Sequence, residues 1–355
     1  MTQRRDSDSA ATGRRTRRGF LAAAGGVGAA ALAGCLGGGG SGDGSGSGDG
    51  MAGSMTIFHA GSLAPPFSEA EPQFEEENGV DVTREAKGSV ASTQKITQQG
   101  RKADVLGVSD FRLIRDRVIP DYGDWVIVFT TNAMSIQYRE DSPGAGDITK
   151  DNWWEVLSRD DVTIGHSDPA VDPGGYRAVM SMQLGKEAFE GERLYDESTY
   201  RAMMDNTTVP TGTETNLEGQ LESGELDYVL YYQSISSTSG KPFVDLQPQV
   251  DLSQATSKYA QHYAKAEVET GSGTFTGAPI AYGMTVPSVA NAPGRGAQWV
   301  EYMTTEPGKE ILRNKGLQPV ETPVVNASGK DQVPQRVMEQ AEAQDALGPI
   351  DLDPQ

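Results

Sequence analysis

Three short stretches set glycine beside a hydroxyl or a carboxylate at the point where an extended run gives way to a helical one. They are His59-Ala60-Gly61-Ser62-Leu63, Lys87-Gly88-Ser89-Val90-Ala91-Ser92 and Asp172-Pro173-Gly174-Gly175-Tyr176-Arg177. A helix start exposes unpaired backbone N–H groups and the positive end of the helix dipole, so such a turn can receive an oxyanion. Glycine lets the backbone come close, and serine adds a hydroxyl donor. Taken singly, each stretch also fits an ordinary capped strand-to-helix turn. Three of them in one chain point to an anion held between loops, although the spacing does not identify the anion.

Catalytic chemistry has little to stand on. His59, His166 and His262 are scattered without metal-ligand spacing, and the sequence has no Walker-type phosphate loop, no Gly-x-Ser-x-Gly elbow and no His-Glu-x-x-His. An enzyme is not expected, nor a resident cofactor, and His59 is expected to pack against or cap its neighbouring turn. Cys35 is the sole cysteine, so the domain that follows it has neither an internal disulfide nor a thiolate metal site.

The elements that must position these turns alternate in type. Met55-Thr56-Ile57-Phe58 predicts a strand, and residues 65–77 a helix with Phe67, Ala70 and Phe74 on one face. A strand from Val80, a helix ending near Gly100 and a strand at 103–108 follow, an order that implies a parallel, doubly wound sheet. Two long extended runs, 125–138 and 278–287, read as crossings between lobes and so as a hinge. A helix over about 216–222 stops at Ser223-Gly224, where glycine suits a left-handed C-terminal residue. The expected architecture is α/β with two lobes, each a doubly wound, mostly parallel sheet. Residues 54–131 and 283–345 form lobe I, residues 132–282 lobe II, and residues 346–355 a frayed tail.

Residues 1–35 carry paired arginines before Gly19-Phe20-Leu21, then a short Gly/Ala-rich apolar run ending Leu32-Ala33-Gly34-Cys35. That pattern is an export signal of twin-arginine type with a lipobox, which makes Cys35 the expected lipidation site. The apolar run is too short and too rich in glycine for a membrane span. Residues 36–53, almost wholly Gly, Ser and Asp, read as a flexible tether. The expected location is the outer face of the cytoplasmic membrane, with the chain held there by its lipid anchor. The formal net charge of −20 argues against nucleic acid as a partner and suits a halophilic source, where strong screening relieves self-repulsion.

The same turns, with Gly100-Arg101-Lys102-Ala103-Asp104-Val105 and Glu222-Ser223-Gly224-Glu225-Leu226-Asp227-Tyr228, resemble archaeal molybdate/tungstate-binding proteins, the solute receptors of ABC importers. The resemblance runs from about Met55 to Pro319. It implies a two-lobed type II periplasmic-binding-protein fold and a partnership with a permease and its ATPase; a monomer is expected. It also implies an oxyanion held by Gly61, Ser62, Ser89, Asp172, Pro173, Gly174, Glu214 and Tyr232, with the Asp172 and Glu214 carboxylates placed directly on the metal. Two departures stand out: Gly174 replaces the family's usual cysteine, and the stretch between Asp172 and Glu214 is shorter than in the relatives. Read from the residues alone, Asp172 also suits a helix cap, Glu214 a first-turn carboxylate, and Glu218 competes with Glu214. On the same fold a receptor for sulfate or phosphate would need no inward carboxylate. One for an organic acid would call for an inward arginine, for which Arg177 is the candidate. A cell-surface adhesion domain would fit the tether but not the strand-helix order.

Overall fold

The computed structural model describes residues 53–209 and 214–354, with the side chains at positions 214 and 215 outside that description. The export signal, Cys35 and the tether up to residue 52 lie outside the described residues, as does the Glu214 carboxylate. From Gly53 the chain runs β1 (Gly53–His59), α1 (Ala64–Asn78), β2 (Val80–Ala86), α2 (Ser89–Thr97), β3 (Val105–Val108), α3 (Arg112–Arg117) and β4 (Ile127–Thr131). Next come β5 (Met134–Tyr138), α4 (Trp153–Leu157), β6 (Ile164–Gly165), α5 (Pro173–Gly185), α6 (Glu197–Asp205), β7 (Thr207–Thr208), α7 (Glu214–Ser223) and β8 (Tyr228–Tyr232). After α8 (Gln233–Thr238), β9 (Phe243–Asp245) and α9 (Ser257–Tyr263), a hairpin of β10 (Glu267–Thr270) and β11 (Gly273–Thr276) leads into β12 (Ala281–Thr285). Two helices, α10 (Pro293–Thr304) and α11 (Glu306–Asn314), precede β13 (Gln318–Asn326) and β14 (Glu342–Gln344).

The strands form two main sheets, one in the order β14-β13-β4-β12-β3-β1-β2 and one in the order β7-β6-β8-β5-β9. Pairing is parallel for β1 with β2 and β3, and for β6 with β7 and β8, but antiparallel wherever β4, β5 or β12 takes part. The sheets are therefore mixed where mostly parallel pairing was expected. The cause is the crossing itself: β4, β5 and β12 adjoin the passages between sheets and run against the strands that lead up to the loops.

Helix α1 shows why the sequence folds as it does. Proline occupies its first turn, where no intrahelical N–H bond is forfeited, and Gly79 ends it at φ 57°. Phe67, Ala70 and Phe74 recur three and four residues apart and are buried together. Phe67 and Phe74 meet the Trp299 ring edge-on, at centroid distances of 5.2 and 5.0 Å, the arrangement that aromatic quadrupoles prefer.

The C-terminal residues differ from the frayed tail expected at 346–355. Ala346–Leu347 pairs with Ile350–Asp351 as a small antiparallel hairpin, and Ile350 and Leu352 pack into a core with Phe111, Ile114 and Val324. Arg115 Nη1 donates to the Asp351 carbonyl at 2.6 Å, and the Ser328 amide to Asp353 Oδ1 at 2.9 Å. Alternation of Ile350 and Leu352 with acidic residues is a strand signal that short length and terminal position concealed.

Candidate functional site

Asp172 sits before α5, with φ −139° and ψ 127°, and caps the helix by accepting the Gly174 amide on Oδ1 at 3.2 Å. Pro173 follows at the first helical position, where its missing N–H is harmless. Gly175 is required by close approach, since a Cβ there would stand 2.1 Å from the Ser167 carbonyl oxygen. Asp172 is 2 % exposed, and its second oxygen, Oδ2, has no hydrogen-bond partner among the described residues. Burial raises its pKa, against the opposing pull of Ser167, the Gly174 amide and Arg177. The helix-cap role and a second buried oxygen thus coexist in one side chain, with Ser167 as the polar side chain beside the carboxyl.

The serines of the first sheet's loops gather opposite. Gly61, Ser62 and Leu63 form a 3-10 turn leading into α1, with Ser62 buried. Ser89 opens α2, fully buried, with its hydroxyl 3.1 Å from the Ser109 hydroxyl and accepting the Ser109 amide at 3.0 Å. Tyr232, the last residue of β8, donates to Ser109 Oγ at 3.2 Å and accepts from Arg177 Nη1 at 2.7 Å. Tyr282 of β12 donates to Ser62 Oγ at 3.0 Å, and its ring lies 5.9 Å from that of Tyr232. Asn132, in the link between β4 and β5, donates to the Tyr282 hydroxyl at 3.0 Å and to Ser234 Oγ at 2.8 Å. The bond to Tyr282 ties the outward crossing to the return crossing.

The residues expected from sequence divide as follows. Ser89 and Tyr232 meet at the Ser109 hydroxyl, Ser62 meets the Tyr282 hydroxyl, the two tyrosine rings lie 5.9 Å apart, and Asp172 adjoins this group at Gly88. Gly61 shares the turn of Ser62, while the Gly174 amide is occupied by Asp172. Glu214 opens α7, which neighbours the Gly61–Leu63 turn. Its competitor Glu218 is committed elsewhere, 3.1 Å from Lys241 Nζ. Ser109, Asn132 and Tyr282 were not anticipated. Ser109 follows β3 at its carboxyl end, where parallel sheets place ligand contacts, and could have been found on that ground; Tyr282 lies inside an apolar run and gave no signal.

Three further features bear on chemistry. Arg177 is buried, and its guanidinium engages the Ser109 carbonyl, the Tyr232 hydroxyl and Asp110. Burial opposes its charge, yet Tyr232 and Asp110 keep its pKa above the ordinary value. The histidines are apart and unlike a catalytic set: His59 Nδ1 meets the Ala60 carbonyl at 2.8 Å, His166 Nδ1 the Ser167 carbonyl at 2.7 Å, and the His262 ring lies tilted against that of Phe189 at 4.8 Å. Among the described residues no group of three or more His, Cys, Asp or Glu is placed to hold a free metal ion.

Two lobes joined by a pair of crossings, with loops from both sheets meeting at one buried polar seam, define the class of type II periplasmic binding proteins. Solved structures agree on the fold. The sulfate-binding protein SubI of Mycobacterium tuberculosis matches 80% of this chain and 93% of its own at 16% identity and a TM-score of 0.56. The periplasmic molybdate-binding protein of Azotobacter vinelandii matches 74% of this chain and 98% of its own at 13% identity and a TM-score of 0.55. Residues 55–318 match the family described as bacterial extracellular solute-binding protein, and the chain belongs to it.

Among its relatives, the molybdate/tungstate-binding protein WtpA of Pyrococcus abyssi is 36% identical over 308 residues, covering 79% of this chain and 87% of that protein. A solute-binding protein of Petrotoga mobilis is 38% identical over 282 residues, covering 77% and 86%. Proteins of this family bind solutes outside the cell rather than transform them, and membership implies partnership with an ABC transporter.

Proposed function

We propose that this chain captures tungstate or molybdate between its two lobes and delivers it to an ABC importer, held at the outer face of the cytoplasmic membrane by a lipid on Cys35. It works as a monomer and carries no cofactor; the metal oxyanion is its cargo. The observation that carries this reading is the buried Asp172 carboxylate, which the close approach of Gly88 sets beside the seam where the Ser89 and Tyr232 hydroxyls also gather.

A carboxylate beside a dianion is repelled by about 1 kcal/mol per charge pair at 4 Å in water, and by more in a partly buried site. Direct ligation to the metal reverses that. Tungsten and molybdenum are large, hard centres that accept two further oxygen ligands, whereas sulfur and phosphorus in their oxyanions do not. Asp172 and Glu214 are the two ligands in this account, with Gly61, Ser62, Ser89, Pro173, Gly174 and Tyr232 around the oxo groups. The pair thereby attracts the metalates and repels sulfate and phosphate. The occupied guanidinium of Arg177 speaks against an organic acid, since its charge is already spent on Asp110 and Tyr232.

Melting curves at matched, high ionic strength test the reading. A hundredfold excess of ligand over its dissociation constant stabilises by ~2.7 kcal/mol. Tungstate and molybdate should raise the melting temperature while sulfate and phosphate leave it in place; equal shifts from sulfate and tungstate would overturn the carboxylate account.

A further inference from the structure

Gly88 has φ −54° and ψ 143°, a conformation open to any residue. A Cβ there would nevertheless lie 2.2 Å from the Val171 carbonyl oxygen and 2.9 Å from Asp172 Cβ. Those atoms belong to the loop that leads from the second sheet into α5, so glycine is demanded by the approach of the lobes and not by the backbone of either. Ala91 completes this contact by donating its amide to the Val171 carbonyl at 3.2 Å.

From the first two turns of α5, two side chains cross the same seam. The Tyr176 hydroxyl donates to Asp110 Oδ2 at 2.7 Å, and Arg177 Nη1 donates to the Ser109 carbonyl at 2.7 Å, with Nη2 3.4 Å from Asp110 Oδ2. Asp110 is prepared for them by its own lobe, because Arg112 donates to it from Nε at 2.9 Å and from Nη2 at 2.7 Å. The remaining bond of Arg177 Nη1 goes to the Tyr232 hydroxyl at 2.7 Å. Opening the cleft would take Arg177 and Tyr176 away from Asp110 and exchange these charge-assisted bonds for contacts with water.

We infer that Asp110, Tyr176 and Arg177 form a latch that makes and breaks with cleft closure, and that Arg177 is a positioning residue that fixes the Tyr232 hydroxyl without itself touching the ligand. This inference rests on the oxyanion reading above. A latch of this kind governs how long the closed form lasts, so it acts on release and not on capture, which takes place in the open form. It also treats every bound anion alike.

The experiment uses the full chain, with release of radiolabelled tungstate and radiolabelled sulfate into excess unlabelled anion. Arg177→Met, Asp110→Asn and Gly88→Ala should each release tungstate at least about tenfold faster than the parent, with association within about twofold. The double variant D110N/R177M should release more slowly than the two single effects combined would give, since the Arg177–Asp110 contact is lost in both. Gly88→Ala changes no charge and suits the backbone of its own lobe, so it separates closure from folding. Arg177→Lys should recover part of the loss by keeping the charge on Asp110. Unchanged release rates would overturn the latch, as would a tungstate-to-molybdate affinity ratio that changes in R177M. A parent protein that holds sulfate and not tungstate would overturn the metalate reading, while the release ratios measured with sulfate would still decide the latch.

Discussion

Asp172 has two buried oxygens: one closes the start of α5, and the other is the oxygen proposed to reach the metal. Asparagine caps a helix about as well as aspartate, so Asp172→Asn isolates the second role. That variant should stay within about 1 kcal/mol of the parent in stability and lose tungstate affinity by at least about tenfold, or ~1.4 kcal/mol, without weakening sulfate; isothermal titration and chemical unfolding on one preparation would check both. His59 makes a separate prediction. Burial lowers its pKa from 6.5 to about 4, so over that interval the unfolded chain binds a proton the native protein refuses. Its contribution is complete above the unfolded value and is lost as pH falls through the interval. Relative to His59→Gln, the parent should lose roughly 2 kcal/mol between about pH 7 and about pH 4.5; parallel denaturation curves would contradict this. At this scale the helix starts at Ser62, Ser89 and Asp172 were legible, because glycine beside a hydroxyl or carboxylate at such a turn is a local signal. Asp110 and Tyr282 escaped, because their roles depend on partners Tyr176 and Ser62, 66 and 220 residues away.

The helices and strands around the site were legible where their pattern was long. Helix α1 carries its aromatic face, its prolines and Gly79, and the Gly224 stop of α7 takes φ 79° as glycine allows. Two things were less visible. The antiparallel share of each sheet comes from the crossing strands, a property of topology and not of any one segment. The terminal hairpin depends on two apolar residues, Ile350 and Leu352, buried against a core from distant parts of the chain. Burying such side chains contributes about 1.5–3 kcal/mol each, so deletion of residues 346–355 should lower stability by a few kcal/mol and shift the denaturation midpoint. A truncated chain as stable as the parent would return these residues to the status of a loose end. The β10–β11 hairpin has a positional role: it lies on α5 through Gln183 and Glu267, while Arg112 and Arg117 of α3 donate to its Thr276 and Ser272 carbonyls at 2.9 and 2.8 Å. It therefore bridges the same two lobes as the latch, from the outer side.

For the molecule as a whole, both crossings meet at Asn132 and Tyr282, and loops from both sheets meet at the seam. The proposed capture is a closure, and small-angle scattering should report a smaller radius of gyration with saturating tungstate than without; an unchanged radius would remove closure from the account. The acidic balance of the chain, −20 overall, means that these comparisons belong at high salt, where long-range repulsion of an anion is screened. The central claim is that two carboxylates complete the coordination of the metal. X-ray absorption at the tungsten edge of the loaded protein measures that directly: six oxygen neighbours are expected, reverting toward four in Asp172→Asn. Four oxygens in the parent protein would contradict it.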